Sequence, residues 1–356
     1  MNVCPSLLYR GCQCRLAGFG MLAISFGLFL IGRAAPAEAA ITITPTFDTS
    51  ITSLSNAATV ESSINAAIGN IEADITSPNN VNASVYFYGT SAGTSESDTG
   101  ETQQGPGQVT YYQYYNALKA LATSPVQLTA LASLGPAPTS DSSPNPVNGN
   151  PYVSISFMEY ENLFDVTTPQ LVFEYGPTGP GPAGAYDGWV SVDTDSTYTQ
   201  TEATHELDEI LGIGGDGSQI TSNIIQWEPN GSVGPLDLFR YSARGVRSFT
   251  NSTTATSYFS IDGGVTDIAG FSNYEFEDFG DWDSAAERVQ DATWDGPATL
   301  GPAELTAFQV LGYQLAPVPE PGCLGLMLSS LMLVSVRGRR RKQHIVPLVY
   351  SSHDEH

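Results

Sequence analysis

Between residues 40 and 318 the chain has no cysteine, one histidine and five basic residues. The four cysteines, Cys4, Cys12, Cys14 and Cys323, lie near the two ends, so no disulfide staples the body and its core must hold it. Lys119, Arg240, Arg244, Arg247 and Arg288 stand against 33 acidic residues there, a formal charge of −28. A surface of that sign repels phosphate backbones and anionic headgroups, which excludes nucleic acid as a partner, and it recruits divalent cations. Charged residues make only 14% of the 356-residue chain, against about 25% in an average soluble protein. Hydrophobic residues at 41% and aromatics at 10% are enough for a core, while 35 Gly and 23 Pro consign long stretches to turns. No internal repeat is visible, and residues 40–317 read as one body.

The ends carry addresses. Residues 1–39 read as a secretory signal peptide: Arg10 and Arg15 precede the apolar run Leu16–Gly32, and Ala37-Glu38-Ala39 is a small-x-small cleavage site, so the mature chain is expected to start near Ala40. At the other end Val318-Pro319-Glu320-Pro321 precedes the apolar run Gly322–Val336 and the basic cluster Arg337-Gly338-Arg339-Arg340-Arg341-Lys342. A short apolar stretch before such a cluster stops in the membrane with the cluster on the cytoplasmic side. Residues 318–342 are therefore predicted as a membrane-anchor helix, with 343–356 as a tail. Motif, run and cluster in that order resemble the PEP-CTERM sorting signal. The resemblance implies a Gram-negative bacterium that makes exopolysaccharide and an exosortase-type enzyme that recognises Pro-Glu-Pro. It further implies an exported protein, membrane-tethered and then at the cell surface or outside.

Within the body, Ile41–Ile51 alternates as a half-buried strand does, and Val60, Ile64, Ala67, Ile68, Ile71 and Ile75 recur at helical spacing. Strands are predicted at Val81–Tyr88, Tyr152–Met158, Gln170–Tyr175 and Gly188–Val192, and helices at Val109–Leu121 and Val126–Leu134. The segments 90–108 and 135–151 read as polar loops. The order predicts an α+β fold with a mixed sheet.

One constellation has the residue types for chemistry. Thr199 and Glu202 fit a capping box for a helix that continues His205-Glu206-Leu207-Asp208-Glu209 and ends at Gly212, Gly214 and Gly215. Ala203, Leu207, Ile210 and Leu211 form its apolar stripe. His205 and Glu209 point away from that stripe, one turn apart, where two donors can grip one metal ion. Glu206 stands beside them, placed to act as general base on water, the logic of H-E-x-x-H with Glu209 in place of the second histidine. His205 is the only histidine of the body, so every further ligand must be an oxygen donor. Zn2+ is the expected ion, and Ca2+ the alternative.

HELDEILG at 205–212, PLDLFRYS at 235–242, SYFSIDGG at 257–264, DFGDW at 278–282 and ELTAFQVLGY at 304–313 occur in an order similar to a group of PEP-CTERM-associated metalloproteases with an HEIDEVLG-type helix and a DLFRYS segment. That resemblance implies a zincin-like fold, His205 and Glu209 as metal ligands, Glu206 as general base and a peptide substrate. A third ligand must come from Asp216, Asp237 or a later acid; Asp237 is preferred, with helix capping or pairing to Arg240 as its other roles. The opposing expectation is a non-catalytic surface or matrix protein on the same scaffold, with exopolysaccharide as its partner, which the absent second histidine favours.

Four weaker signals remain. Asp278, Asp281 and Asp283 form an acidic turn of the density calcium prefers, and an exposed turn is the preferred reading. The three arginines at 240, 244 and 247 are expected to neutralise local acids. Leu305, Phe308, Leu311 and Leu315 read as a core stripe. Tyr111–Tyr115 is expected to be a packed helix rather than a sugar platform.

Overall fold

The computed structural model of the chain describes residues 40–90, 107–164, 186–220, 231–275, 278–292 and 296–317. The signal peptide, the anchor segment, the tail and the strand expected at 170–175 lie outside the described residues. Among those described, no helix is long and apolar enough to cross a membrane.

In chain order the elements are β1 (Ile41–Phe47), α1 (Thr49–Thr52), α2 (Ala57–Asp74), β2 (Ile75–Thr76), β3 (Val81–Thr90), β4 (Gly107–Thr110), α3 (Tyr111–Leu121), α4 (Pro125–Ser133), β5 (Tyr152–Ile155), α5 (Phe157–Leu163), β6 (Gly188–Asp193), α6 (Thr199–Ile210), β7 (Arg240–Ala243), β8 (Val246–Arg247), β9 (Tyr258–Phe259), β10 (Ala269–Gly270), α7 (Pro302–Val310) and β11 (Gln314–Leu315). Helices and several sheets are mixed throughout. The principal sheet has the order β1-β3-β6 and is parallel, with Ile41 opposite Val81 and Val85 opposite Gly188. A parallel pair needs a crossover, and α2 lies between β1 and β3. A four-stranded antiparallel sheet, β10-β9-β7-β8, and the pairs β11-β2 and β4-β5 complete the strands.

The hydrophobic periods place these layers. Val60, Ile64, Ala67, Ile68 and Ile71 are the buried face of α2, and Ile75 opens β2 fully buried. Each large aliphatic so buried contributes about 1.5–3 kcal/mol. Ile41 and Ile43 of β1 and Val81, Ala83, Val85 and Phe87 of β3 turn to the same core, alternating with more exposed residues. β6 is buried along Gly188–Val192 and leads to α6, which packs on β6 and α2. The helix carrying the candidate chemistry is thus a central element.

Several local expectations change. The strand expected over Ile41–Ile51 ends at Phe47, where the Asp48 side chain accepts from the Ser50 N–H and caps α1, and Gly107–Thr110 is a strand where a loop end and a helix start were expected. The strand expected at Tyr152–Met158 ends at Ile155, because Ser156 caps a new helix, its hydroxyl accepting from the Glu159 N–H at 3.1 Å. The stripe at Leu305–Leu315 is only partly core: Phe308 and Leu311 are fully buried, whereas Leu315 sits on β11, 40% exposed. Tyr111, Tyr114 and Tyr115 are buried on α3, the packed helix expected of them.

Candidate metal centre

α6 starts without the predicted capping box. Its N-cap is Tyr198, which makes no side-chain cap. Glu202 instead reaches back to β6 and accepts from the Asp193 N–H at 2.9 Å, and Thr199 donates to the carbonyls of Asp193 and Ser196. The helix start is tied to the strand end rather than to itself. Its C-terminus behaves as the glycines foretell: Gly212 has φ +105°, Gly212 N donates to Glu209 O and Ile213 N to Asp208 O. That is a Schellman closure, which needs a residue at home in the left-handed region.

All of α6 from Thr201 to Ile210 is buried, the polar side that bears His205 and Glu209 included. The face bearing His205 and Glu209 is covered by the segment 278–292. Trp282 anchors that segment: it is fully buried, lies against Phe259 and Phe271, and donates its indole N–H to Glu304 Oε1 at 3.0 Å. Beside it, Asp281 turns inward.

His205, Glu209 and Asp281 form a buried group able to hold a metal ion, with one donor atom from each within 4.8 Å of the others. His205 Nε2 is 3.7 Å from Glu209 Oε1 and 3.8 Å from Asp281 Oδ2. The three residues are 2%, 6% and 4% exposed. Donors about 2.0–2.2 Å from a tetrahedral ion stand roughly 3.4 Å apart, so the two distances from His205 Nε2 exceed that spacing by a few tenths of an ångström. The donor set is chemically apt. Burial lowers the His205 pKa to about 4, which keeps the imidazole neutral. Its Nδ1 faces the Val289 carbonyl at 3.0 Å; the proton therefore resides on Nδ1 and the Nε2 lone pair points into the group. Glu209 Oε1 is oriented by the Gly215 N–H at 2.9 Å.

Each candidate from the sequence finds a place. His205 and Glu209 converge. Glu206 is on the same helix, 1% exposed. Asp237, the preferred third ligand, is not in the group: its Oδ2 accepts from the N–H groups of Gln219 and Gly234 at 2.9 and 2.8 Å, and its Oδ1 accepts from Ser218 Oγ at 2.7 Å. It fastens the turn after α6 to the approach to β7, and Asp281 is the third member of the group. Asp216 lies in the short 3-10 turn Gly214–Gly217, and its side chain is outside the described part.

The acidic turn at 278–283 is correspondingly not one exposed cluster. Asp278 is exposed, Asp281 is buried in the group, and Asp283 meets Arg288 at 3.9 Å near the surface. Among the described residues, the group of three or more His, Cys, Asp or Glu placed to hold a metal ion is His205, Glu209 and Asp281. The three arginines also part ways. Arg240, 2% exposed, donates to the Phe279 carbonyl two residues before Asp281 and lies 4.1 Å from the centre of the Phe271 ring. Burial depresses it to about 10, while the nearby Asp237 charge favours its cationic form. Arg247 donates to Ser133 O, and Arg244 is exposed. The DLFR segment thus serves as scaffold: Asp237 fastens the turn after α6 and Arg240 fastens the backbone at Phe279.

The signal for Asp281 was its position directly before a tryptophan, in an acidic turn within the family-like set. No protein-family model, curated protein or solved structure matches the chain.

Proposed function

We propose that the chain is an exported, surface-associated metallopeptidase whose zinc ion is held by His205, Glu209 and Asp281. The observation that carries this reading is the convergence of those three buried donors on the helix that also bears Glu206. A divalent ion bound there supplies Lewis-acid chemistry: it polarises a carbonyl and makes water nucleophilic near neutral pH. The chain's own part is then positional. Val289 O and Gly215 N–H orient two of the donors, and the Glu206 carboxylate accepts the proton that water loses and returns it to the leaving nitrogen. A neutral imidazole with two carboxylates leaves a divalent ion without net charge, which suits a buried place. One nitrogen and two oxygens also select zinc less sharply than histidine-rich sets do, so manganese is a competitor.

The zincin-like character rests on the strand-helix order β6-α6 and the HELDEILG residues. Export rests on the two terminal addresses, with an exosortase-type enzyme as processing partner, the membrane as transient anchor and a peptide as substrate. The burial of the three donors, 2–6% exposed, favours a second reading, a non-catalytic surface or matrix protein in which the ion is structural. Glu206→Gln separates the two. A peptidase loses turnover by orders of magnitude while keeping its metal; in a structural site neither metal nor any other property changes.

A further inference from the structure

The three donors have a fourth neighbour. Gln290 is fully buried, with Nε2 3.2 Å from His205 Nε2 and 3.0 Å from Asp281 Oδ1. Because His205 carries its proton on Nδ1, the amide NH2 donates to both of those lone pairs. The other end of the amide, Oε1, is buried without a hydrogen-bond partner. A bare buried carbonyl oxygen is destabilising and is seldom left without a reason. The backbone is shaped around the same group: Gly214 has φ +63°, and a Cβ there would fall 2.1 Å from Gln290 Nε2 and 2.6 Å from its Cδ. Only glycine admits the amide at that point.

We propose that Gln290 is a further ligand of the ion held by His205, Glu209 and Asp281, offering Oε1 after a half-turn of its amide; this rests on that group being the metal site. With no cation present, the two N–H groups satisfy lone pairs that would otherwise face one another. Once a cation lies among those donors, an N–H aimed at it is repelled and the oxygen is attracted. The final torsion of glutamine is broad and two-fold, and its nitrogen and oxygen are nearly the same size, so the exchange needs no backbone movement. The residue type fits the charge. The two carboxylates already balance a divalent ion, and a neutral amide adds a donor without leaving an uncompensated buried charge. Four protein donors make a closed site, so access of a substrate carbonyl requires the amide to withdraw.

The test is metal affinity of the full-length protein, read by chelator competition with Zn2+ and by the visible spectrum of the Co2+-loaded form. Gln290→Leu keeps the volume and removes both polar ends. Affinity should fall about 10- to 100-fold, and the Co2+ bands should change in position and intensity. Unchanged affinity and spectrum overturn the role of Gln290 while leaving the other three ligands standing; wild-type protein that binds neither ion overturns both. If Gln290→Leu does not fold, Gln290→Glu decides, since it keeps the oxygen: affinity at or above wild type supports the assignment, and a loss as large as that of Asp281→Asn contradicts it.

Discussion

Asp237 and Asp281 are both buried acids in family-like segments, and the structure gives them opposite work. Asp237→Ala removes the acceptor for two backbone N–H groups and one hydroxyl. The Ser218 hydroxyl can rotate to another acceptor, but the N–H groups of Gln219 and Gly234 cannot. Each buried donor left bare costs about 1–3 kcal/mol. Arg240, 2% exposed, also loses its nearby charge. The expected loss is about 3–5 kcal/mol, a large part of the roughly 5–15 kcal/mol that a folded protein has. Asp237→Asn should be milder, about 1–2 kcal/mol, because the amide oxygen accepts from both N–H groups while its NH2 donates to Ser218 Oγ, leaving the charge as the main loss. Urea denaturation with matched metal-content measurement below the transition is the assay. Asp237→Ala should unfold far earlier yet bind metal as wild type does, whereas Asp281→Asn should lose the metal. An Asp237→Ala protein of normal stability that fails to bind metal would refute the division of labour.

Three other outcomes are expected. Glu206→Gln should retain fold and metal, and on a peptide library should lose cleavage by about 10²–10⁴-fold, the share general-base catalysis supplies; cleavage equal to wild type would remove Glu206 from that role. Burial raises the Glu159 pKa well above the ordinary carboxylate value, opposed only in part by the Tyr114 hydroxyl that donates to it. Its contribution to stability is therefore full below the ordinary value and is lost as pH rises through the folded value, with a slope of at most about 1.4 kcal/mol per pH unit. Glu159→Gln should flatten that loss, seen as urea midpoints that converge with wild type at low pH and exceed it at high pH; parallel curves would contradict it. Mass spectrometry of native protein should find the mature chain starting near Ala40 and lacking the residues after Val318; an intact basic cluster in mature material would argue against C-terminal processing.

Much of the frame was legible because it rests on simple periods. The isoleucine spacing of α2 and the alternation of β1 and β3 reappear as buried faces. The partnership of His205 with Glu209 followed from helical geometry alone. What the sequence concealed was tertiary. Glu202 prefers the Asp193 N–H to the cap of its own helix, a choice decided by where β6 ends. The polar side of α6 is covered by the segment 278–292, and only a fold can place residues 68 or more positions downstream over a helix. Asp237 and Asp281 could not be ranked as ligands from spacing, because the direction of each is set by distant anchors: Gln219 and Gly234 for Asp237 in its 3-10 turn, Trp282 for Asp281 in its loop.

If the proposed site is correct, His205, Glu209 and Asp281 together hold one divalent ion. Elemental analysis of the purified protein after dialysis against trace zinc, run beside His205→Ala, Glu209→Gln and Asp281→Asn, tests it most directly. Wild-type protein should carry close to one zinc per chain, and all three folded variants strongly reduced content. Wild-type protein without metal, or variants that bind as wild type does, would contradict it.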